Sequence, residues 1–186
     1  MNFTALPVSS VDGIRLRHLA HGDLPAWFGY LSQREVFEHT SWNVSSPDAL
    51  LPFVWSSETN TPDGLLRLAI VRADDDALIG TIGFHTVSAH NGTAEIAYDL
   101  VPAVWGRGIA ASLCRAVVDW GHRHVGLVRI QATVLDSNSR SRRVLERCGF
   151  ESEGLLRSYR SVRGTPRDFF MYAHVVEVPP QRAGPK

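Results

Sequence analysis

One stretch constrains the fold more than any other: Ala-Glu-Ile-Ala-Tyr-Asp-Leu-Val-Pro-Ala-Val-Trp-Gly-Arg-Gly-Ile-Ala-Ala, from Ala94 to Ala111. Its first part, with Thr93 ahead of it, reads as a strand over Thr93–Leu100. After Pro102 the period changes. From Gly108 onward, apolar residues fall at Ile109, Leu113, Cys114, Val117 and Trp120, the stripe of an amphipathic helix. A strand thus feeds a Gly-x-Gly turn that opens directly into a helix. Unpaired amides at such a helix start, together with the helix dipole, make an anion site. Gly106 and Gly108 let the backbone approach a phosphate, and Arg107 adds charge. A plain strand–turn–helix corner, where glycine only relieves strain, explains the same residues about as well. Dinucleotide binding falls behind, because the third glycine of Gly-x-Gly-x-x-Gly is Ala111 and the acid expected about 20 residues on is missing.

The rest of the chain supplies partners for that unit. Gly13–Leu19 alternates apolar and charged residues, as a half-buried strand does. Gly22-Asp23-Leu24-Pro25 opens a helix with Asp23 as N-cap, and a second helix starts at Ser46-Pro47 and ends before Asn60. Leu65–Arg72 and Leu78–Val87 read as strands flanking an acidic turn. His90-Asn91-Gly92 then turns the chain antiparallel into Thr93–Leu100. Leu127–Leu135 is a strand and Asn138–Arg147 a short helix ended by Gly149. Phe150–Tyr159 and Asp168–Val178 form a hairpin around Arg163-Gly164. The order β-α-α-β-β-β-α-β-α-β-β specifies an α+β domain, one mixed sheet with helices on both faces. We read residues 1–178 as one domain and 179–186 as a disordered tail.

Net charge excludes some functions. With 19 basic and 19 acidic side chains, the chain lacks the basic excess of a nucleic-acid or membrane-surface binder. The balance is uneven, however. Residues 1–100 carry 12 acids and 5 bases, and residues 101–186 carry 7 acids and 14 bases. Such a split suits a site where two differently charged ligands meet. Two cysteines, Cys114 and Cys148, make no disulfide framework or metal motif and read as buried structural thiols. His122-x-His124 reads as a solvated pair at a helix end, and no metal site is expected. No signal peptide or apolar run of about 20 residues is evident, so a soluble cytoplasmic protein is expected.

The second informative block is Asn138-Ser-Arg-Ser-Arg-Arg-Val-Leu-Glu-Arg-Cys-Gly-Phe, ending at Phe150. Asn138 suits an N-cap and Gly149 the residue after the helix. Capping does not explain four arginines, Arg140, Arg142, Arg143 and Arg147, on one short helix.

Together the two blocks resemble the GNAT superfamily of acetyl-CoA-dependent N-acetyltransferases. Trp105-Gly106-Arg107-Gly108-Ile109-Ala110 is similar to the family's pyrophosphate loop, Gln/Arg-x-x-Gly-x-Gly/Ala, with Trp105 in place of the usual Gln or Arg. The run from Asn138 through Ser141 and Leu145 to Gly149-Phe150 looks like its second signature, an Asn-x-x-Ser helix closed by Gly-Phe. Glu95-Ile-Ala-Tyr-Asp-Leu, the Trp-Gly-x-Gly spelling and Glu153-Gly154 further resemble the RimJ/RimL-like subfamily, named for acetylating ribosomal-protein N-termini. The likeness covers roughly residues 12–177 and is strongest from 94 to 154.

The resemblance implies a mostly antiparallel sheet of about seven strands, splayed between the fourth and fifth. Acetyl-CoA would lie in that gap as acetyl donor. Tyr98, Leu100 and Val101 would flank its pantetheine and polarise the thioester. Trp105, Gly106, Arg107, Gly108, Ile109 and Ala110 would hold the pyrophosphate, and Arg143 the 3′-phosphate end. Asn138 would position the pantetheine arm. Glu95 is the candidate base, directly or through water, and Ser141 the candidate acid for the departing thiolate. Many relatives place tyrosine four residues after that serine, where this chain has Leu145. Phe37, Trp42 and Glu95 are the candidate acceptor-binding residues, among other aromatics and acids of the first two helices. The acceptor would be a primary amine, a peptide or protein N-terminus or a small molecule; a non-catalytic acyl-CoA-binding module is the alternative. No nucleic-acid or membrane partner is expected. Dimers are common among similar proteins, so a homodimer stays open.

Overall fold

In β2 (Gly64–Arg72), Leu66, Leu68 and Ile70 are buried on one face and Ala69 and Val71 on the other. The strand is covered from both sides. Its neighbours are β1 (Ile14–His18) and β3 (Leu78–Ser88), followed by β4 (Thr93–Leu100), β5 (Arg129–Leu135), β6 (Glu151–Val162) and β7 (Thr165–Val175). They form one seven-stranded sheet in the order β1-β2-β3-β4-β5-β7-β6. All pairings are antiparallel except β4 with β5. The structure, a computed structural model, describes residues 5–42, 44–59 and 64–176. The segment expected to be a disordered tail lies outside those residues.

Helices cover both faces, as the element order requires. On one side lie α4 (Ile109–Trp120) and α5 (Ser139–Arg147), whose Ile109, Leu113, Cys114, Val117 and Leu145 join the larger core with Leu68, Ile82 and Phe84. On the other lie α1 (Leu24–Leu31), α2 (Arg34–Phe37) and α3 (Leu51–Thr59), with Trp27, Leu31, Leu50 and Val54 packed over Ala69 and Val71. No helix among the described residues is long and apolar enough to cross a membrane.

A buried charge network fastens α1 to the sheet. Arg67 and Asp99 are ion-paired at 2 % and 3 % side-chain exposure. Thr81 Oγ1 accepts from Arg67 Nε at 2.7 Å and donates to Asp99 at 2.9 Å. The Trp27 indole (3.2 Å) and the Tyr30 hydroxyl both donate to the same Asp99 oxygen. A buried ion pair is tolerated only when further hydrogen bonds complete it, and here they do. Burial, with Asp99's charge second, raises the Tyr30 hydroxyl well above its ordinary pKa of 10.

Several local expectations change. Asp23 is the N-cap residue of α1 as expected, but its side chain makes no cap bond; the carboxylate turns back to accept from the Ala20 amide (2.8 Å) and from Arg17 (2.7 and 2.8 Å). Pro47 opens a 3₁₀ turn, Pro47–Leu50, that precedes α3, and α2 was not foreseen. The last hairpin narrows to a turn at Arg163–Gly164, so β6 and β7 both reach it. His122 is half-buried, not solvated: its ring bonds the Leu127 carbonyl at 2.7 Å and His174 at 3.0 Å, while His124 is exposed.

Candidate active site

The parallel pairing of β4 and β5 is short. Thr93, Ala94 and Glu95 pair with Arg129, Ile130 and Gln131, and no register pair follows. Beyond that point β4 continues to Leu100 and β5 to Leu135, and the two part. The Val101 amide bonds the Ile79 carbonyl on β3 at 2.9 Å. Main-chain groups alternate edges along a strand, so those of Tyr98 and Leu100 face the gap instead. There the Leu100 carbonyl accepts the Trp105 indole N–H at 2.8 Å.

Below the gap the chain turns into α4. Gly106 and Gly108 both have φ +76°, a left-handed conformation that glycine adopts without strain. Both are exposed, with open space where a Cβ would stand. Gly108 is the N-cap and supplies no side-chain cap. Ser112 N–H bonds the Gly108 carbonyl at 3.1 Å, so the amides of Ile109 to Ala111 lie ahead of the helix ladder. Arg107 is exposed between the glycines. Arg140, on α5, stacks over the Trp105 ring at 4.7 Å and adds charge beside the turn. Arg143 is exposed further along α5. Arg140 thus contacts the residue that precedes the first turn glycine. Sequence reading did not single out Arg140, because the contact depends on how α5 packs against the turn, which spacing alone does not give. Arg142 is committed elsewhere, to the Tyr172 hydroxyl (3.2 Å) and the Phe170 ring (3.9 Å).

A cavity of about 240 Å³ opens at the point of divergence. Glu95, Tyr98, Asn138, Ser141 and Trp42 all line it, which brings together residues from β4, α5 and the segment after α2. Glu95 Oε1 accepts from Thr133 Oγ1 at 2.6 Å and from Arg160 at 3.2 Å. Ser141 Oγ lies 2.9 Å from the Tyr98 hydroxyl. Burial raises that hydroxyl well above its ordinary pKa of 10, so it stays a proton donor. Asn138 Oδ1 caps α5 by accepting from Ser141 N–H (3.0 Å), and Nδ2 donates to the His39 carbonyl (2.9 Å). Its amide is thus engaged at both ends, and its positive role is to fix Ser141 and the cavity wall.

Phe37 does not line the cavity. Arg163 covers its ring (5.4 Å) and also bonds the carbonyls of Phe37 (3.1 Å) and Thr40 (3.2 Å), clasping the wall segment to the last hairpin. Trp27 and Tyr30 belong to the core. Missed by sequence reading were Arg160, Thr133, Arg67 and His85, all of them lining residues. Only His85 left a trace, a break in alternation between Phe84 and Val87.

The comparisons with known proteins agree with this geometry. A family model for the acetyltransferase (GNAT) domain matches residues 14–151. The chain belongs to the GNAT acetyltransferase family. The uncharacterized N-acetyltransferase YoaA of Bacillus subtilis is 34% identical over 171 residues, 91% of this chain and 97% of that protein. The ribosomal-protein-serine acetyltransferase of Escherichia coli is 30% identical over 103 residues, 55% and 58% of the two chains. Among solved structures, Mycobacterium smegmatis RimJ in complex with CoA-disulfide superposes with a TM-score of 0.75 at 26% identity, covering 90% of this chain and 84% of that one. The seven-stranded sheet with its parallel β4–β5 junction is the GNAT arrangement, as the sequence resemblance implied. Among the described residues of this GNAT chain, no group of three or more histidines, cysteines or acids is clustered as metal ligands.

Proposed function

We propose that this GNAT domain transfers the acetyl group of acetyl-CoA to a primary amine, with a peptide or protein N-terminal α-amine as the acceptor. The observation that carries the reading is the parting of β4 and β5, with Glu95 and the Ser141–Tyr98 pair lining the one cavity that opens there. The residues fit the donor. The gap-facing main chain of Tyr98 and Leu100, beside Val101, suits pantetheine, and the open Gly106–Ala110 turn suits a pyrophosphate. Trp105 fixes that turn through Leu100. Arg140 and Arg143 supply charge for the phosphate end. When bound, the donor supplies an activated thioester carbonyl.

Glu95 meets the acceptor's ammonium end and starts its deprotonation, directly or through water. Ser141, whose hydroxyl is held by Tyr98 and whose amide is held by Asn138, delivers a proton to the leaving sulfur. Trp42 forms the acceptor-side wall. Resemblance to a ribosomal-protein acetyltransferase supports the peptide acceptor.

Thiol release from acetyl-CoA, measured over a panel of peptides, polyamines, amino acids and aminoglycosides, tests the reading. Turnover should be fastest with a peptide carrying a free α-amine and absent with its N-acetylated form. Faster turnover of a polyamine would reassign the acceptor. Cofactor binding without turnover of any amine would leave an acyl-CoA-binding module.

A further inference from the structure

Glu95 is heavily engaged for a lone base. Its Oε1 already accepts from Thr133 and from Arg160. Proton transfer to that oxygen from an acceptor competes with both donors. A second group lining the same cavity offers the proton another destination.

That group is His85. The β3–β4 register runs Phe84 to Ile96 and then Thr86 to Glu95, so His85 is an inserted residue with no partner of its own. The insertion is a β-bulge, and bulges re-aim side chains beside functional sites. Phe84 (0 % exposed) and Val87 (5 %) both point into the α4-side core, with two residues between them instead of one. His85 and Thr86 are consequently both turned away from that core. His85 lines the same cavity as Glu95, and its bulge partner Thr86 sits opposite Glu95 itself.

We infer that His85 and Glu95 form a two-residue base, in which Glu95 holds the acceptor's ammonium group and the His85 imidazole takes its proton, directly or through one water. This deepens the acetyltransferase reading and rests on it. The bookkeeping of atoms closes. One proton passes from the ammonium nitrogen to His85, and the neutral nitrogen forms the C–N bond to the acetyl carbon. The C–S bond breaks, and a second nitrogen proton reaches the sulfur by way of Ser141. His85 then gives its proton to solvent.

The surroundings suit a neutral imidazole. His85 keeps an exposed surface, and partial desolvation of its ring, the largest influence, lowers its pKa from the usual 6.5, with Arg67 on β2 and Arg160 on β6 adding to that. Glu95 on β4 acts in the opposite direction. His39 faces the cavity from the segment after α2. The imidazole is therefore free to accept a proton at neutral pH, and Glu95 stabilises the imidazolium once formed.

Two measurements test the inference. In steady-state kinetics on the best peptide acceptor, His85→Asn should lower kcat by about 10²-fold with acetyl-CoA KM unchanged. It should also abolish the acid limb of the kcat/KM profile, which in the wild type lies below pH 6.5. An unchanged rate and limb would overturn the proposal. Independently of any acceptor, ¹⁵N NMR of the intact protein should give a His85 titration midpoint below 6.5 that falls further in Glu95→Gln. A midpoint at or above 6.5, or one that ignores Glu95→Gln, would equally overturn it. Failure of the wild type to release thiol with any amine would instead remove the transferase reading, and the NMR result would still decide whether the two side chains act on each other.

Discussion

At the scale of single residues, the site is a set of hydroxyls and one carboxylate whose partners define their jobs. Ser141 is the most informative. Its amide is fixed by Asn138 and its hydroxyl by Tyr98, so its Oγ is held at one place on the cavity wall. Four residues on stands fully buried Leu145, and the hydroxyl that reaches Ser141 is that of Tyr98, from β4. Ser141→Ala should therefore lower kcat by about 10²-fold and leave acetyl-CoA affinity nearly unchanged, as steady-state kinetics beside calorimetric titration would show. A loss confined to affinity would assign Ser141 to binding alone. Ser141 and Asn138 were legible because one helix carries both. Tyr98 was legible only as a gap residue, since its hydroxyl contact spans 43 positions of sequence. Arg160 was illegible and His85 left only a broken alternation, for a related reason: a hairpin register brings the one to Glu95 and a bulge turns the other to the same cavity, and neither is a motif.

At the scale of elements, the turn into α4 does the most with the fewest residues. Gly108 combines a left-handed conformation with unobstructed space at its Cα, so a methyl group there meets no atom and acts only through the backbone. Gly108→Ala should cost about 1–2 kcal/mol of stability from that strain. Donor affinity should fall as the amides ahead of the helix ladder shift. Chemical denaturation and calorimetry would separate the two effects. Equal stability and affinity would show that the turn tolerates another conformation. Strand and helix existence here was readable from periodicity, which is a local property. What sequence missed at this scale were caps and short turns: Asp23 folds back on Arg17 because a nearby guanidinium outcompetes helix amides, and no local pattern announces Arg17 as that partner.

At the scale of the whole molecule, charge has two destinations. In the basic second half, Arg107 lies in the turn and Arg140, Arg142, Arg143 and Arg147 on α5, while Arg129, Arg160 and Arg167 pair with acids elsewhere. In the acidic first half, by contrast, several acids pair with that half's own few bases: Asp76 with Arg15 and Arg17, Asp75 with Arg72, and Asp99 with Arg67. Glu95, paired with Arg160 of the basic half, is the acid that lines the cavity. Protons enter the account as well. Folding places His85 and His174 where burial, the leading cause for each, lowers their pKa from 6.5. A lowered folded-state pKa means that the unfolded chain binds protons more readily, so stability rises with pH through this window and is lost as pH falls below about 6.5. Urea unfolding should give a higher midpoint near pH 7.5 than near pH 5.5, with His174→Gln narrowing the difference; a reversed order would contradict it.

The three-residue junction between β4 and β5 has a mechanical consequence. Four strands stand on one side of it and three on the other, and only Thr93–Glu95 and Arg129–Gln131 join them in register. On the reading proposed above, an extended ligand arm lying in the gap extends that seam. A donor at about 100 times its Kd adds about 2.7 kcal/mol to the folded state by mass action alone. Hydrogen exchange should place that protection along the facing edges of β4 and β5, where the bound donor would serve as a rung of the sheet.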